Sequence, residues 1–236
     1  MKYYTKDGVV HEYTTTSKIN DTGRYGSIFR VRENDSICLK HLNEVKTSEP
    51  LTIFDDTPTV ISEDIFGYFK GLNNPNFCKL YDLLYSRDGK IVAYTMRYYQ
   101  NAIHNILLMP TDYLVDNFSS IYDAMDKLAR DLVMVVDLHN RNMVLTENDI
   151  VIVDFDKYRI EKDKPYDVIL EINTSALYYA FSKMFNNALK GCGLDVDNPT
   201  SRLRVSELFS YGTDPYVLKR KLGSCKRIGD YFLEKH

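Results

Sequence analysis

The sequence predicts an α+β protein in two lobes: an antiparallel sheet with one helix over residues 1–100, and a mainly helical lobe over 101–236. Three observations carry this. Short β-branched and aromatic runs fill the first hundred residues, helical spacing of apolar residues takes over after residue 110, and a small hairpin pattern stands between two long helical stretches. A lobed α+β arrangement of this kind leaves a cleft at the join, where ligands usually bind.

In the first lobe, VVHEYTT, SIFRVRE, SICLKHL, FCKLYDLLYS and KIVAYTMRYY read as strands, separated by turn sequences such as ENDS and SRDGK. ISEDIFGYFKGL interrupts them as a helix, because Ile61, Ile65, Phe69 and Leu72 recur at spacings of four, four and three. In the second lobe, DYLVDNFSSIYDAMDKLARDLVMVV is helical by the same test. NTSALYYAFSKMFNNALK is a second helix, starting near Asn173 and stopping near Gly191. Between them NMVLT and DIVIVDF form a hairpin across the turn END. The periodicity of Leu128, Leu132, Val135 and Val136 leaves a second option, in which the helix runs on and Asp137 ends it.

Composition narrows the class. The chain has 236 residues, 44% hydrophobic and 27% charged, with a net charge of -3, which is ordinary for a globular protein with a substantial core. Its longest purely apolar stretch, LVMVV, is far below the ~20 residues of a membrane span. The opening MKYYTKDGVVHEY lacks the apolar core of a secretory signal, and four dispersed cysteines without a CxxC pair suggest reduced, buried thiols. A cytoplasmic location follows as the expectation, including a host cytosol if the chain is viral or a secreted effector. Residues 202–236 hold eight basic and four acidic residues. Without interleaved aromatic and glycine positions this reads as a solvated helical face, and no nucleic-acid partner is expected.

The segment DLHNRNMVLTENDIVIVDFD concentrates the chemistry. A hairpin of MVLT and IVIV brings Asn142 and Asp154 to one end, where an amide and a carboxylate oxygen can hold Mg2+. Asp137, five residues before Asn142, would face the same cation and orient or deprotonate a hydroxyl.

These residues resemble the protein-kinase-like superfamily. DLHNRNMVL is similar to the catalytic loop and VDFD to the magnesium motif of that family. In the same order, NDTGRYGSIFRV resembles the glycine-rich phosphate loop and SICLK the strand carrying the phosphate-binding lysine. LNNPNFCKLYDLL is similar to the segment after the first helix, MRYY to the adenine-binding hinge, and TSALYYAFSKMF to a helix anchoring the second lobe. The resemblance spans roughly residues 15–190. It implies a two-lobed kinase-like fold that binds ATP and Mg2+. Gly23, Arg24, Tyr25, Gly26 and Ser27 would cradle phosphates, Lys40 would neutralise them, and Arg97 and Tyr99 of the hinge would bind the adenine, which that segment hydrogen-bonds through backbone groups. Asn142 and Asp154 would hold the metal, Asp137 would address the acceptor hydroxyl, and Glu63, with Asp64 as runner-up, would pair with Lys40.

Departures from the family pattern bear on function. Asp21 replaces the first glycine of the phosphate loop. Val135 and Val136 stand where the family has His and Arg before the catalytic Asp, which argues against switching by phosphorylation. Asp156 replaces the glycine after Phe155, and Asn173 stands where an Asp usually braces the catalytic loop. His139 takes the place of a frequent lysine. Only 18 residues separate Asp154 from Asn173, short for peptide docking. The implied activity is γ-phosphoryl transfer to a hydroxyl, on a protein Ser or Thr or on a small hydroxyl compound as in aminoglycoside and choline kinases. A pseudokinase that binds nucleotide or protein without transfer is the alternative.

Overall fold

The computed structural model describes residues 2–20, 26–43, 60–100, 102–193 and 199–233. Contacts divide the chain into two units. The first gathers Met1–Asn73, Phe77–Tyr99 and Asp154–Lys157, and the second Asn74–Asn76, Gln100–Val153 and Tyr158–His236.

Alternation of side chains builds the first unit. Strands β1 (Lys2–Tyr4), β2 (Val10–Glu12), β3 (Thr15–Asn20), β4 (Gly26–Val31), β5 (Ile37–Leu42), β6 (Leu80–Tyr85) and β7 (Ile91–Arg97) form one antiparallel sheet. Their order is β2-β1-β6-β7-β5-β4-β3. Tyr3, Val31, Leu39, Leu84 and Ala93 pack together on one face, so the period of two turns Lys40 to the other. The expected strand VVHEYTT is divided. Val10–Glu12 pairs with β1 and Thr15–Asn20 with β4, at opposite edges of the sheet. The break falls at Tyr13 and Thr14, where the Thr14 N–H leaves the ladder to donate to the Glu33 carboxylate at 3.0 Å. SRDGK makes the β6–β7 turn, with Gly89 at φ 79°, a conformation glycine adopts without penalty.

Helix α1 (Glu63–Gly71) begins at Ser62, whose hydroxyl accepts from the Ile65 N–H at 3.2 Å. The cap fixes its rotation, so Ile65, Phe66 and Phe69 are buried and Glu63 and Asp64 stay exposed. Phe69 stacks on Phe155 with ring centroids 4.1 Å apart and planes within 2°, and also on Phe77.

In the second unit, α2 (Thr111–Arg130) packs on α3 (Tyr166–Gly191), with Phe118 and Phe181 edge to face at 5.3 Å. The helix expected to run on toward Asp137 instead ends at Arg130. Leu132 turns the chain at φ 59°, and β8 (Val133–Met134) follows as an extended segment. The hairpin forms as expected from β9 (Met143–Leu145) and β10 (Ile150–Ile152), with Met143 opposite Ile152. Buried Asn117 secures it, accepting the Ile150 N–H at 2.7 Å, while Asn76 donates to the Ile150 carbonyl at 2.9 Å. Strand β11 (Arg159–Ile160) pairs with β8. The start of α3 lies before the expected Asn173, at Tyr166 directly after Pro165, with Asp167 in the first turn, where a carboxylate suits the helix dipole. Helices α4 (Pro199–Leu208), α5 (Pro215–Leu222) and α6 (Asp230–Leu233) complete the unit. Lys219 and Arg220 on α5 are exposed above buried Leu218 and Leu222, so this part of the basic tail is a solvated helical face.

None of the four cysteines is in a disulfide. Cys38, Cys78 and Cys225 are buried, and Cys192, against expectation, is exposed where α3 ends. Among the described residues no helix is long and apolar enough to cross a membrane.

Candidate functional site

Among the described residues of the first unit, Lys40 is the buried cation. Its ammonium lies 2.8 Å from Asp154 Oδ1 and 2.7 Å from Asp156 Oδ2, with side-chain exposures of 5%, 37% and 3% for the three residues. Two features put both carboxylates there. Phe155 is locked into the Phe69–Phe77 stack, so the residues flanking it turn the other way. Asp154 adopts φ 75°, and its own carboxylate accepts the Asp156 N–H at 3.3 Å, a local turn that Asp tolerates.

Tyr94 completes this cluster. It pairs across the sheet with Lys40, donates its hydroxyl to Asp156 Oδ1 at 2.9 Å and holds its ring 5.7 Å below the ammonium. Burial pushes the Asp156 carboxyl up to about 6, an effect that attraction from Lys40 only partly offsets. For Lys40, burial pulls downward, but Asp156 and Asp154 outweigh it and leave the ammonium raised. Tyr94 lies far above its ordinary range, chiefly through burial and then through Asp156. The sequence reading passed over Tyr94. A tyrosine at an inward position of a buried strand needs a polar partner, and that requirement was the available signal.

Gly26 and Ser27 sit on β4 beside this lysine. A Cβ at Gly26 would stand 2.8 Å from the His41 carbonyl and 3.2 Å from Lys40 Cε, so only glycine fits there. Gly23, Arg24 and Tyr25, with Asp21, lie outside the described residues.

The expected Glu63–Lys40 pair is replaced. Glu63 is held by Lys6 and by the Tyr85 hydroxyl, which donates to it at 3.0 Å. The rotation of α1 explains this: the position facing the sheet is Ile65, which has no charge to offer. At the expected hinge, Arg97 lies 5.2 Å over the Tyr99 ring. The Arg97 and Tyr98 N–H groups are already engaged by the Lys79 and Ser36 carbonyls at 2.8 Å each, so neither can donate to an adenine.

The second unit carries Asp137 and Asn142. Asp137 is exposed at φ 66°, and the Asn142 amide donates to its carbonyl at 3.0 Å, leaving Asn142 Oδ1 as an acceptor. At the open end of the hairpin the Val153 N–H donates to the Asn142 carbonyl at 2.8 Å, and Asp154 is the next residue in the chain. His139 Nδ1 accepts the Arg141 N–H at 3.2 Å, so in the neutral ring the proton sits on Nε2, 3.9 Å from Asp137 Oδ1. Asn173, fully buried, braces the approach to this loop, accepting the Val135 N–H at 2.7 Å and donating to the Val133 carbonyl at 3.0 Å.

Among the described residues no group of three or more His, Cys, Asp or Glu is placed to hold a metal ion. Taken each within its own unit, the oxygens open to a cation are the Asp154 carboxylate of the first and Asn142 Oδ1 of the second. Both are the hard oxygens that Mg2+ accepts. No protein-family model matches the chain, and no curated protein matches it.

Proposed function

We propose that the chain is an atypical phosphotransferase of the protein-kinase-like kind, which binds Mg-ATP and passes the γ-phosphoryl group to a hydroxyl. One observation carries the reading: a nearly inaccessible lysine on a central strand, held by Asp154 just beyond a hairpin and lined by a glycine that admits no Cβ. Burying an ammonium is costly without an anionic partner; Asp154 and Asp156 fill that role in the protein alone, and a triphosphate would share it on the side of Asp154, the more exposed of the two. In support, the described non-glycine residues with positive φ are Leu132, Asp137 and Asp154. Two of these three are the carboxylates assigned to chemistry, and backbone strain gathers at functional sites.

Lys40 would neutralise the α and β phosphates, and Gly26 at the start of β4, with no side chain, would let backbone N–H groups approach them. Bound nucleotide and magnesium supply the transferable phosphoryl group and the charge that eases its transfer. The acceptor oxygen bonds to the γ-phosphorus as the bond to the ADP oxygen breaks, and the hydroxyl proton passes to Asp137.

A second reading, nucleotide binding without transfer, is favoured by Asp156. Its carboxylate takes a share of Lys40 that a phosphate would otherwise take.

Thermal unfolding with and without Mg-ATP, together with transfer of labelled γ-phosphate, tests both. Saturating Mg-ATP should raise the melting temperature by several degrees, since ligand at about 100 times Kd adds about 2.7 kcal/mol. No shift at millimolar Mg-ATP would remove both readings, and a shift without transfer would select the second.

A further inference from the structure

The loop from Asp137 to Arg141 and one face of α3 enclose a cleft of about 480 Å³, a size suited to a small molecule or one or two side chains. On α3, Ala176, Tyr179 and Lys183 line it, at helical spacings of three and four that put them on one face. Ala176 is small and leaves room at the floor. Tyr179 is 55% exposed, and Lys183 holds its ammonium 5.4 Å from that ring. Arg141 enters from the loop side.

The charges in the cleft are unequal. Arg141 and Lys183 have no carboxylate partner among the described residues. They face a wall whose one acid is Asp137. His139 adds a ring whose Nδ1 is engaged by the Arg141 N–H. Two cationic side chains, Arg141 and Lys183, lining one cleft with an exposed aromatic ring suit a carboxylate or phosphate. They repel an ammonium.

We infer that this cleft selects the phosphoryl acceptor by an anionic group, a carboxylate or phosphate carried close to the reactive hydroxyl, and rejects cationic acceptors. The inference rests on the phosphotransferase reading for the role of Asp137, but the charge selection itself does not. Amino sugars and quaternary amines, the acceptors of small-molecule kinases similar in their DLHxxN and VDFD segments, carry the wrong sign for Arg141 and Lys183. Two sources offer the right one: a serine or threonine flanked by Asp or Glu in a protein, and a small hydroxyl compound bearing a phosphate.

The test measures binding on the full chain, apart from catalysis. Probes are a fluorescent serine peptide flanked by aspartates, the same peptide with lysines, glycerol 3-phosphate, glycerol and choline. The anionic probes should bind, and the neutral and cationic ones should bind at least about tenfold more weakly. Arg141→Glu and Lys183→Glu, both at exposed positions, should each weaken the anionic probes by about tenfold while the Mg-ATP melting shift stays as in the parent. Whichever anionic probe binds more tightly assigns the acceptor to a protein or to a small molecule. Equal binding of choline or the lysine peptide, no binding of either anionic probe, or reversals without effect would each overturn the inference. A missing Mg-ATP shift alongside charge-selective binding would instead remove the phosphotransferase reading and leave the cleft's selectivity standing.

Discussion

Lys40 and Asp156 form an ion pair of 2.7 Å with both side chains almost wholly withdrawn from water, and the Tyr94 hydroxyl bonds the carboxylate from its other side. Such a pair stabilises little against water, yet removing one member strands the other in a medium that cannot solvate it. Lys40→Met should therefore cost about 3–5 kcal/mol in urea unfolding. Adding Asp156→Asn should restore part of that, because Asn keeps an oxygen for Tyr94 and carries no charge. A coupling of about 2 kcal/mol is expected between the two changes; strictly additive effects would show that the pair is not coupled in solution.

The same carboxylate sets a pH dependence. Burial raises Asp156 from 3.8 to about 6 in the folded protein. A group whose folded value lies above its unfolded one contributes stability at low pH and loses it as pH rises through the folded value. The stability of the parent relative to Asp156→Asn should fall by about 2–3 kcal/mol between pH 4 and 6.5. Taking the difference removes the other carboxylates, whose titration is common to both proteins. A difference that stays level or rises over this range would contradict the assignment.

Asp137 permits a separation of chemistry from backbone strain. Its φ of 66° lies in the left-handed region that Asn tolerates and Ala does not. Asp137→Asn should leave the melting temperature and the Mg-ATP shift unchanged while phosphoryl transfer falls by about 10²–10⁴-fold. Asp137→Ala should lose the same activity and, in addition, about 1 kcal/mol of stability. Retained transfer in the Asn variant would remove Asp137 from the reaction.

Asn173 makes a prediction about the brace behind that loop. It satisfies a buried N–H at Val135 and a buried carbonyl at Val133 with one side chain. Asn173→Leu strands both and should cost about 2–4 kcal/mol. Asn173→Asp keeps an acceptor for Val135 but loses the donor to Val133 and buries a charge, so it should fare no better. Denaturant midpoints of the three proteins decide this.

What the sequence made legible follows from the range of the forces involved. Alternation marked the strands from Gly26 onward, and the stripe Ile61, Ile65, Phe69 and Leu72 marked α1, because those signals lie within a few residues. The hairpin of Met143–Leu145 and Ile150–Ile152 was legible for the same reason. Strand β1 was not, because it joins the rest of the sheet through a partner far along the chain, Tyr4 against Tyr85, and the division of VVHEYTT was not, because its two halves pair with different strands, β1 and β4. The partner of Lys40 was misassigned for a related cause. The rotation of α1 is set by its cap and by Phe69 packing, which turns Glu63 outward. The carboxylates that do reach the lysine are placed by the burial of Phe155. Arg141, Tyr179 and Lys183 carried no motif; only the fold of the second unit puts the loop against that helix face.

The distribution of the four thiols has a practical consequence. Burial raises Cys38 and Cys78 well above ordinary thiol values, and Cys225 is also packed away, whereas Cys192 stands in water at the end of α3. A maleimide dye added to the native chain should therefore enter at one position, giving a single fluorophore on the helix that also bears Tyr179 and Lys183. The parent protein can be followed spectroscopically as it is, with no cysteine-free background to build first.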